Sequence, residues 1–573
     1  MTDPAQNGPA STGPASAGPA STGPASTGPA STRPAVLTRP DELGLSLIGE
    51  IADGRPVTLA PGLLAAVDAQ CDRARAALAG GGPVYGVNTG MGALSGVALT
   101  DGQQRAHQRN LMLARAVGGP PWLPPGDVRA IFAVRLRTFL NGDAGVSAAL
   151  CERLAAFLRA GLVPAVPRGG VGSAGEIIPL AHAFGPLTGI GSVLAAPAVS
   201  EASGGLDTPG SPDGPDGPGS PDGRDASGGL GASGGLGASG GPGEGLRDAA
   251  GALAAAGLAG FAFGPKEGIA LLAGHPGATA LAIRRAADAA RLTGAMTAAA
   301  ALSAIAARAT RDPWSAATAR GDDVLAGVLA RLRAIAGELV SPAALQAPVS
   351  FRVAGLVLAH AERSAAALTG AAERALAGVT DSPAFLGGRF TGTAGFHGLD
   401  LAAHCDQLTV ALIHATEVAA ARIARLLSPA VTGLAAQLAV TPGPDAGLIT
   451  VHKRAVGEVH AMRRNALATP VGLIESSGGQ EDVQSFGWEA AENLRQAVQG
   501  ARVVTACELL TAGHACALAA AAGRPAPPGA APVLAWLAGL IPPVTGDRPF
   551  GADIERLAAA LAAGDNPEPG EFR

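Results

Sequence analysis

Long alanine-rich runs carrying arginines at helical spacing constrain this chain more than any other feature. The segments 280–309, 322–339, 353–377 and 399–427 set small apolar residues in stripes with the period of one face of an α-helix. Alanine loses no side-chain entropy in a helix and lets neighbouring backbones approach closely, so these stripes predict a mainly α protein with tightly packed helices. Pro and Gly punctuate the ends of the runs, where helices stop.

The 573 residues give ample chain to bury a core and suggest two to four domains, although a long helical assembly can fold as one unit. A formal net charge of -5 with 3% aromatic residues offers nothing to nucleic acid. Only Lys266 and Lys453 are lysines, a bias that fits GC-rich coding better than any functional demand. Repeats of Gly-Pro-Ala-Ser-Thr run from Gly8 to Thr32 within a low-complexity stretch at 1–36, and Gly, Ser, Pro and Asp dominate 200–246. Neither stretch buries apolar surface, so the first is expected to be a disordered tail and the second a flexible insertion. They bound an N-terminal region at 37–199, a central region at 247–540 and a C-terminal segment at 541–573. The tail lacks the basic and apolar parts of a secretory signal. Gly251–Gly264 is apolar but too short to span a bilayer, and a buried helix is expected there instead of a membrane anchor. Cys71, Cys151, Cys405, Cys507 and Cys516 are scattered and odd in number, which suits reduced thiols in a cytoplasmic protein.

The chemistry-bearing segments come as short blocks. One is Gly169-Gly170-Val171-Gly172-Ser173-Ala174-Gly175-Glu176-Ile177-Ile178-Pro179-Leu180-Ala181-His182, and another is Val84-Tyr85-Gly86-Val87-Asn88-Thr89-Gly90-Met91-Gly92, which holds the only tyrosine of the chain. Further blocks are Gln108-Arg109-Asn110-Leu111, Pro265-Lys266-Glu267-Gly268, Ser350-Phe351-Arg352, Phe396-His397-Gly398 and Gln480-Glu481-Asp482 followed by Ser485-Phe486-Gly487. A Gly-rich segment alone is weak evidence of function, but the blocks and their order together resemble the histidine and phenylalanine ammonia-lyase superfamily from about Glu50 to Gly500.

The resemblance implies a long central helical bundle with a smaller N-terminal mixed region. It also implies a homotetramer whose active sites draw residues from more than one subunit. The family's cofactor is not external: an internal Ala-Ser-Gly cyclises to a methylidene-imidazolone ring whose methylene captures the substrate amine. Eliminating ammonia from an α-amino acid needs removal of a weakly acidic β-proton and departure of a poor leaving group, so an electrophile on the amine and a base at the β-carbon act together. On that template Tyr85 is the base, Arg352 pairs with the substrate carboxylate through its planar fork, and Glu481 lies near the amine. The matched blocks also place Asn88, Phe396 and Gln480 among the substrate-binding positions.

The departures are as informative. Aligned on its flanks, the family triad falls on Ser173-Ala174-Gly175, and Ala174 has no hydroxyl to lose. Ala273, Val349 and Gly395 stand where the family has asparagine, tyrosine and asparagine. Arg115 occupies the position of a substrate-selecting histidine, where a cation suits an acidic group and the alternative is a side chain turned outward. A ring could still close through Ser173 and Gly175, but its methylene would then require oxidation of Ala174; shifting the triad to Gly172-Ser173-Ala174 breaks the flanking register. No metal is expected: His397, Asp400 and His404 can share a helix face, but no zinc-ligand motif accompanies them. Nor is there a phosphate loop.

Two classes therefore remain open. One is an enzyme of the ammonia-lyase type, or a relative that adds or moves an amine, acting on an unnamed amino acid or related ligand. The other is a homologue that kept the fold and pocket as a ligand-binding protein, as a regulatory subunit beside an active paralogue, or for chemistry without the ring.

Overall fold

The structure, a computed structural model, describes residues 33–195, 245–338, 341–472 and 474–567. Helices dominate. The N-terminal region carries α1 (Leu45–Ala52), α2 (Pro61–Ala79), α3 (Asp101–Arg115), α4 (Pro125–Leu140), α5 (Ala148–Arg159) and α6 (Ile177–Phe184), followed beyond the insertion by α7 (Ala249–Ala255) and α8 (Glu267–Leu272). The bundle region holds α9 (Pro276–Ala306), α10 (Asp323–Ala336), α11 (Val349–Arg352), α12 (Ala354–Ala377), α13 (Leu399–Leu426), α14 (Pro429–Thr432), α15 (Ile449–Arg463) and α16 (Gly487–Ala521). α17 (Ala531–Leu540) and α18 (Gly551–Ala563) close the chain. Among the described residues the strands form two-stranded pairs: β1 (Ala35–Leu37) runs parallel to β2 (Val57–Leu59), while β3 (Ser192–Leu194) with β4 (Leu246–Asp248), and β5 (Ala384–Leu386) with β6 (Arg389–Thr391), are antiparallel.

The alanine stripes become the bundle. α9, α12, α13 and α16 pack along one another, with α15 against α13 and α16, and runs such as Ala298–Ala301 of α9 lie fully buried. Small side chains allow close helix axes, and the buried apolar surface then stabilises helices of 31 and 35 residues. Polar ties fix which faces meet. Arg422 of α13 donates to both carboxylate oxygens of Glu508 on α16, at 2.6 and 2.9 Å, and Ser303 of α9 donates to the same carboxylate at 2.7 Å. Arg285 of α9 reaches Asp127 of α4 at 2.6 Å and joins the bundle to the N-terminal region.

Two stretches, Glu267–Ala306 and Gly487–Ala521, are long and apolar enough to cross a membrane, and both are mostly buried in the bundle. The helix expected over Gly251–Gly264 is shorter, because α7 stops at Ala255 and Gly257 turns the backbone left-handed at φ 65°. The low-complexity segments expected at 1–36 and 200–246 lie mostly outside the described residues. β1 and β4 reach one or two residues inside those limits.

Candidate active site

Tyr85 sits on the loop between α2 and α3, and that loop is tied at several points. Asn88 does not line the cavity described below; its Oδ1 accepts from Val84 N at 2.6 Å and its Nδ2 donates to Gly82 O at 2.8 Å, so its side chain is spent closing the turn. Gly86 has φ 68°, and a Cβ there would stand 2.3 Å from Ile269 Cδ1, so only glycine lets the loop bend against α8. Fully buried Gln108 donates to Gly86 O and accepts from Ile269 N, both at 3.0 Å, which locks α3, the loop and α8 together. The Tyr85 hydroxyl accepts from Gly92 N at 2.8 Å.

The Ser173-Ala174-Gly175 segment precedes α6. Ser173 Oγ donates to Gly175 O at 2.8 Å. Ala174 N donates to Glu481 Oε2 at 3.0 Å, and Ser476 Oγ donates to the same oxygen at 3.2 Å, so the predicted acid is anchored on the tripeptide itself. Glu176 then turns inward and accepts from Gly277 N at 2.7 Å and Ala278 N at 2.6 Å, capping α9 where its unpaired N–H groups and dipole favour a carboxylate. Burial nevertheless pushes the Glu176 carboxyl up to about 7 against those amides and the Arg135 charge. Gly277 admits the Trp488 ring, which a Cβ would meet at 2.1 Å, and Trp488 Nε1 donates to Arg168 O at 2.8 Å to hold the approach to the tripeptide.

These segments enclose a cavity of about 620 Å³. Of the residues expected at the site, Tyr85, Ala174, Gly175, Ala273, Phe396, Gln480 and Glu481 line it, among apolar neighbours including Met91, Ile177, Leu272 and Phe390. Ser173 borders an adjoining void of about 10 Å³ instead. Arg115 stands behind Met91, its Nη2 3.6 Å from Met91 Sδ; burial pulls its guanidinium below its usual range, partly offset by Tyr85 and Glu481. Val349 and Arg352 do not line this chain's cavity, because α11 packs on α9, α12 and α13; Val349 is 58% exposed and Arg352 Nε is buried without a partner.

Beneath the cavity lies a charge cluster that sequence reasoning missed. Lys266 pairs with Asp381 in full burial and so ties the start of α8 to the segment leading to Ser382 and Pro383 of the cavity wall. Arg135 donates to Leu271 O at 3.3 Å and to Ala273 O, fixing the turn that presents Ala273. Burial, with Asp381 nearby, pushes the Asp143 carboxyl up to about 6. Lys266 is one of two lysines in the chain, a signal that was available. His275, whose Nδ1 lies 3.1 Å from Thr279 Oγ1, is pulled down to about 4 by burial and carried no such signal. His397 lines the cavity with Nε2 buried and unpartnered, whereas Asp400 pairs with Arg374 at 2.6 Å and with His404 Nδ1 at 3.3 Å.

A helical bundle that brings a loop tyrosine, a Gly-flanked tripeptide and a carboxylate to one cavity has the architecture of the histidine and phenylalanine ammonia-lyases. The fold matches the ergothionase of Treponema denticola, solved with desmethyl-ergothioneine sulfonic acid, with a TM-score of 0.78 at 20% identity, covering 93% of this chain and 99% of that one. It matches the histidine ammonia-lyase of Trypanosoma cruzi with a TM-score of 0.76 at 22% identity, covering 93% and 94%. In sequence, the histidine ammonia-lyase of Symbiobacterium thermophilum is 29% identical over 492 residues, 84% of this chain and 88% of that protein. The aromatic amino acid lyase family model matches residues 43–537, and the chain belongs to that family.

Proposed function

We propose that this chain is an amino acid ammonia-lyase homologue that holds an amino acid or closely related ligand in the Tyr85–Glu481 cavity without forming the family's methylidene-imidazolone ring. The carrying observation is Ala174, which borders the cavity with a methyl group where dehydration would need a hydroxyl. Ser173-Ala174-Gly175 therefore does not fit the ring as the family makes it, and no step is routed through one. What the residues offer is recognition. The wall offers apolar contact to the ligand, Tyr85 Oη presents a hydrogen-bonding group, and Glu481, already held by Ala174 N and Ser476, presents a carboxylate for an ammonium.

In this reading Arg352 and Val349 serve the cavity of a neighbouring copy in a homotetramer. The exposed valine and the unpartnered guanidinium nitrogen favour that arrangement, and they equally permit a mixed assembly in which this chain completes the site of an active paralogue. Arg115, free of any carboxylate within 4.0 Å among the described residues, suits an anionic group on the ligand. Five buried free thiols support a cytoplasmic setting. The test is to titrate the purified protein with the L-amino acids while following its melting temperature and any ammonia released. The expected result is saturable stabilisation by at least one amino acid with no ammonia. Ammonia release would overturn the absence of an electrophile, and no stabilisation by any amino acid would overturn the ligand-binding cavity.

A further inference from the structure

At the far end of α9, about 45 Å from the tripeptide by helix rise, a separate cavity of about 230 Å³ opens between the C-terminal ends of α9, α10 and α16. Its charged lining is Arg308, Arg311, Arg524 and Glu338, three guanidinium groups against one exposed carboxylate. None of the three arginines has a carboxylate within 4.0 Å among the described residues. Capping of helix ends accounts for only part of their hydrogen-bonding capacity. Arg311 spends its terminal nitrogens on Ala304 O at 3.2 Å, Ala309 O and Ala336 O at 3.4 Å, but its Nε is buried without a partner. Arg308 donates to Ser341 O at 2.6 Å and Arg524 to Thr432 O at 3.2 Å, one terminal nitrogen each.

The backbone supplies a second, independent observation. α9 closes with Arg308 in the left-handed region at φ 48°, where Arg308 N bonds Ile305 O and Ala309 N bonds Ala304 O. Glycine normally fills such a position, and this chain does place a left-handed glycine at φ 82° after α18. Keeping a strained arginine where glycine is the easy choice points to a use for its side chain.

We propose that this cavity binds a small polyanion bearing phosphate or several carboxylates, held by the forked donors of Arg308, Arg311 and Arg524. Planar guanidinium groups match both kinds of oxyanion in paired hydrogen bonds. The site is distinct from the Tyr85 cavity and does not depend on what binds there.

The experiment is calorimetric titration of the full chain with inorganic pyrophosphate and with citrate, at constant ionic strength. One saturable site per chain is expected, and the tighter of the two probes assigns the phosphate or the carboxylate class. The Arg308→Gln/Arg524→Gln double variant should weaken binding about tenfold or more. Glu338→Gln, which removes the one opposing carboxylate without touching the arginines, should tighten it by roughly threefold. Affinity unchanged in both variants, or heats equal to those of sodium chloride at the same ionic strength, would overturn the proposal.

Discussion

The two residues that decide the chemistry are adjacent in space. Ala174 offers its N–H to Glu481, and what it lacks is a side-chain hydroxyl. Ala174→Ser supplies a hydroxyl that could leave as water. If the electrophile is all that was lost, a peptide lighter by two waters, one from ring closure and one from the serine hydroxyl, should appear in the variant, together with an absorbance change and ammonia release from an amino acid. A serine that stays hydrated would place the divergence in Ala273 and Val349 as well. Two residues along, Glu176 makes a pH prediction. Its carboxyl is held near 7 in the fold against an ordinary 4.5, so the fold favours the protonated form. Its stabilising contribution is full below about 4.5 and is lost as pH rises through about 7. Glu176→Gln is neutral at every pH but leaves one of the two α9 amides unpaired, a cost of about 1–3 kcal/mol. The melting-temperature gap between wild type and variant should therefore narrow from pH 5 to pH 8; a constant gap contradicts the inward, desolvated carboxyl. His275, pulled down to about 4, opposes this trend in both proteins and cancels in the difference. At this scale the blocks expected Tyr85, Glu481 and Ala174 at one site, and all three line the same cavity. The sequence could not show that Asn88 is consumed by its own turn, because whether a side chain faces a loop or a cavity is decided by packing far along the chain.

Among the elements, the alanine stripes were readable because a helix that buries one face repeats at the helical period whatever it packs against. The expected runs at 280–309, 353–377 and 399–427 became α9, α12 and α13 within a few residues, and the run at 322–339 ends early at Gly337, which takes φ 60°. The longest helix, α16, was not singled out. It is buried on nearly every side, so its sequence shows little periodicity. Its place is fixed by Glu508, which is 1% exposed and satisfied by Arg422 and Ser303. Arg422→Met should leave that carboxylate uncompensated and destabilise the protein by about 3–5 kcal/mol, whereas the Arg422→Met/Glu508→Leu pair should recover much of the loss. Denaturant unfolding of the three proteins checks this, and a double variant no more stable than the single one would show that the ion pair is not what sets the packing.

For the whole molecule, the single chain leaves Val349, Leu356, Val410 and Val456 exposed on bundle helices, with Arg352 on the short helix beside them. The proposed homotetramer would cover these side chains, and it should appear in light scattering as four times the 55.8 kDa chain mass. A monomer would remove the route by which Arg352 reaches any cavity. Helical patterning shows which face is apolar but not whether that face meets its own chain or another, so the homotetramer entered only as what the family resemblance implies. The fold and the cavity are those of a lyase framework, and the proposal is that its built-in electrophile is absent. The most direct test is the mass of the proteolytic peptide spanning Ser173 to Gly175 in the purified native protein. An unmodified mass is predicted; loss of one water and two hydrogens would mean that Ala174 has been oxidised into the ring, and the account of an electrophile-free cavity would fail.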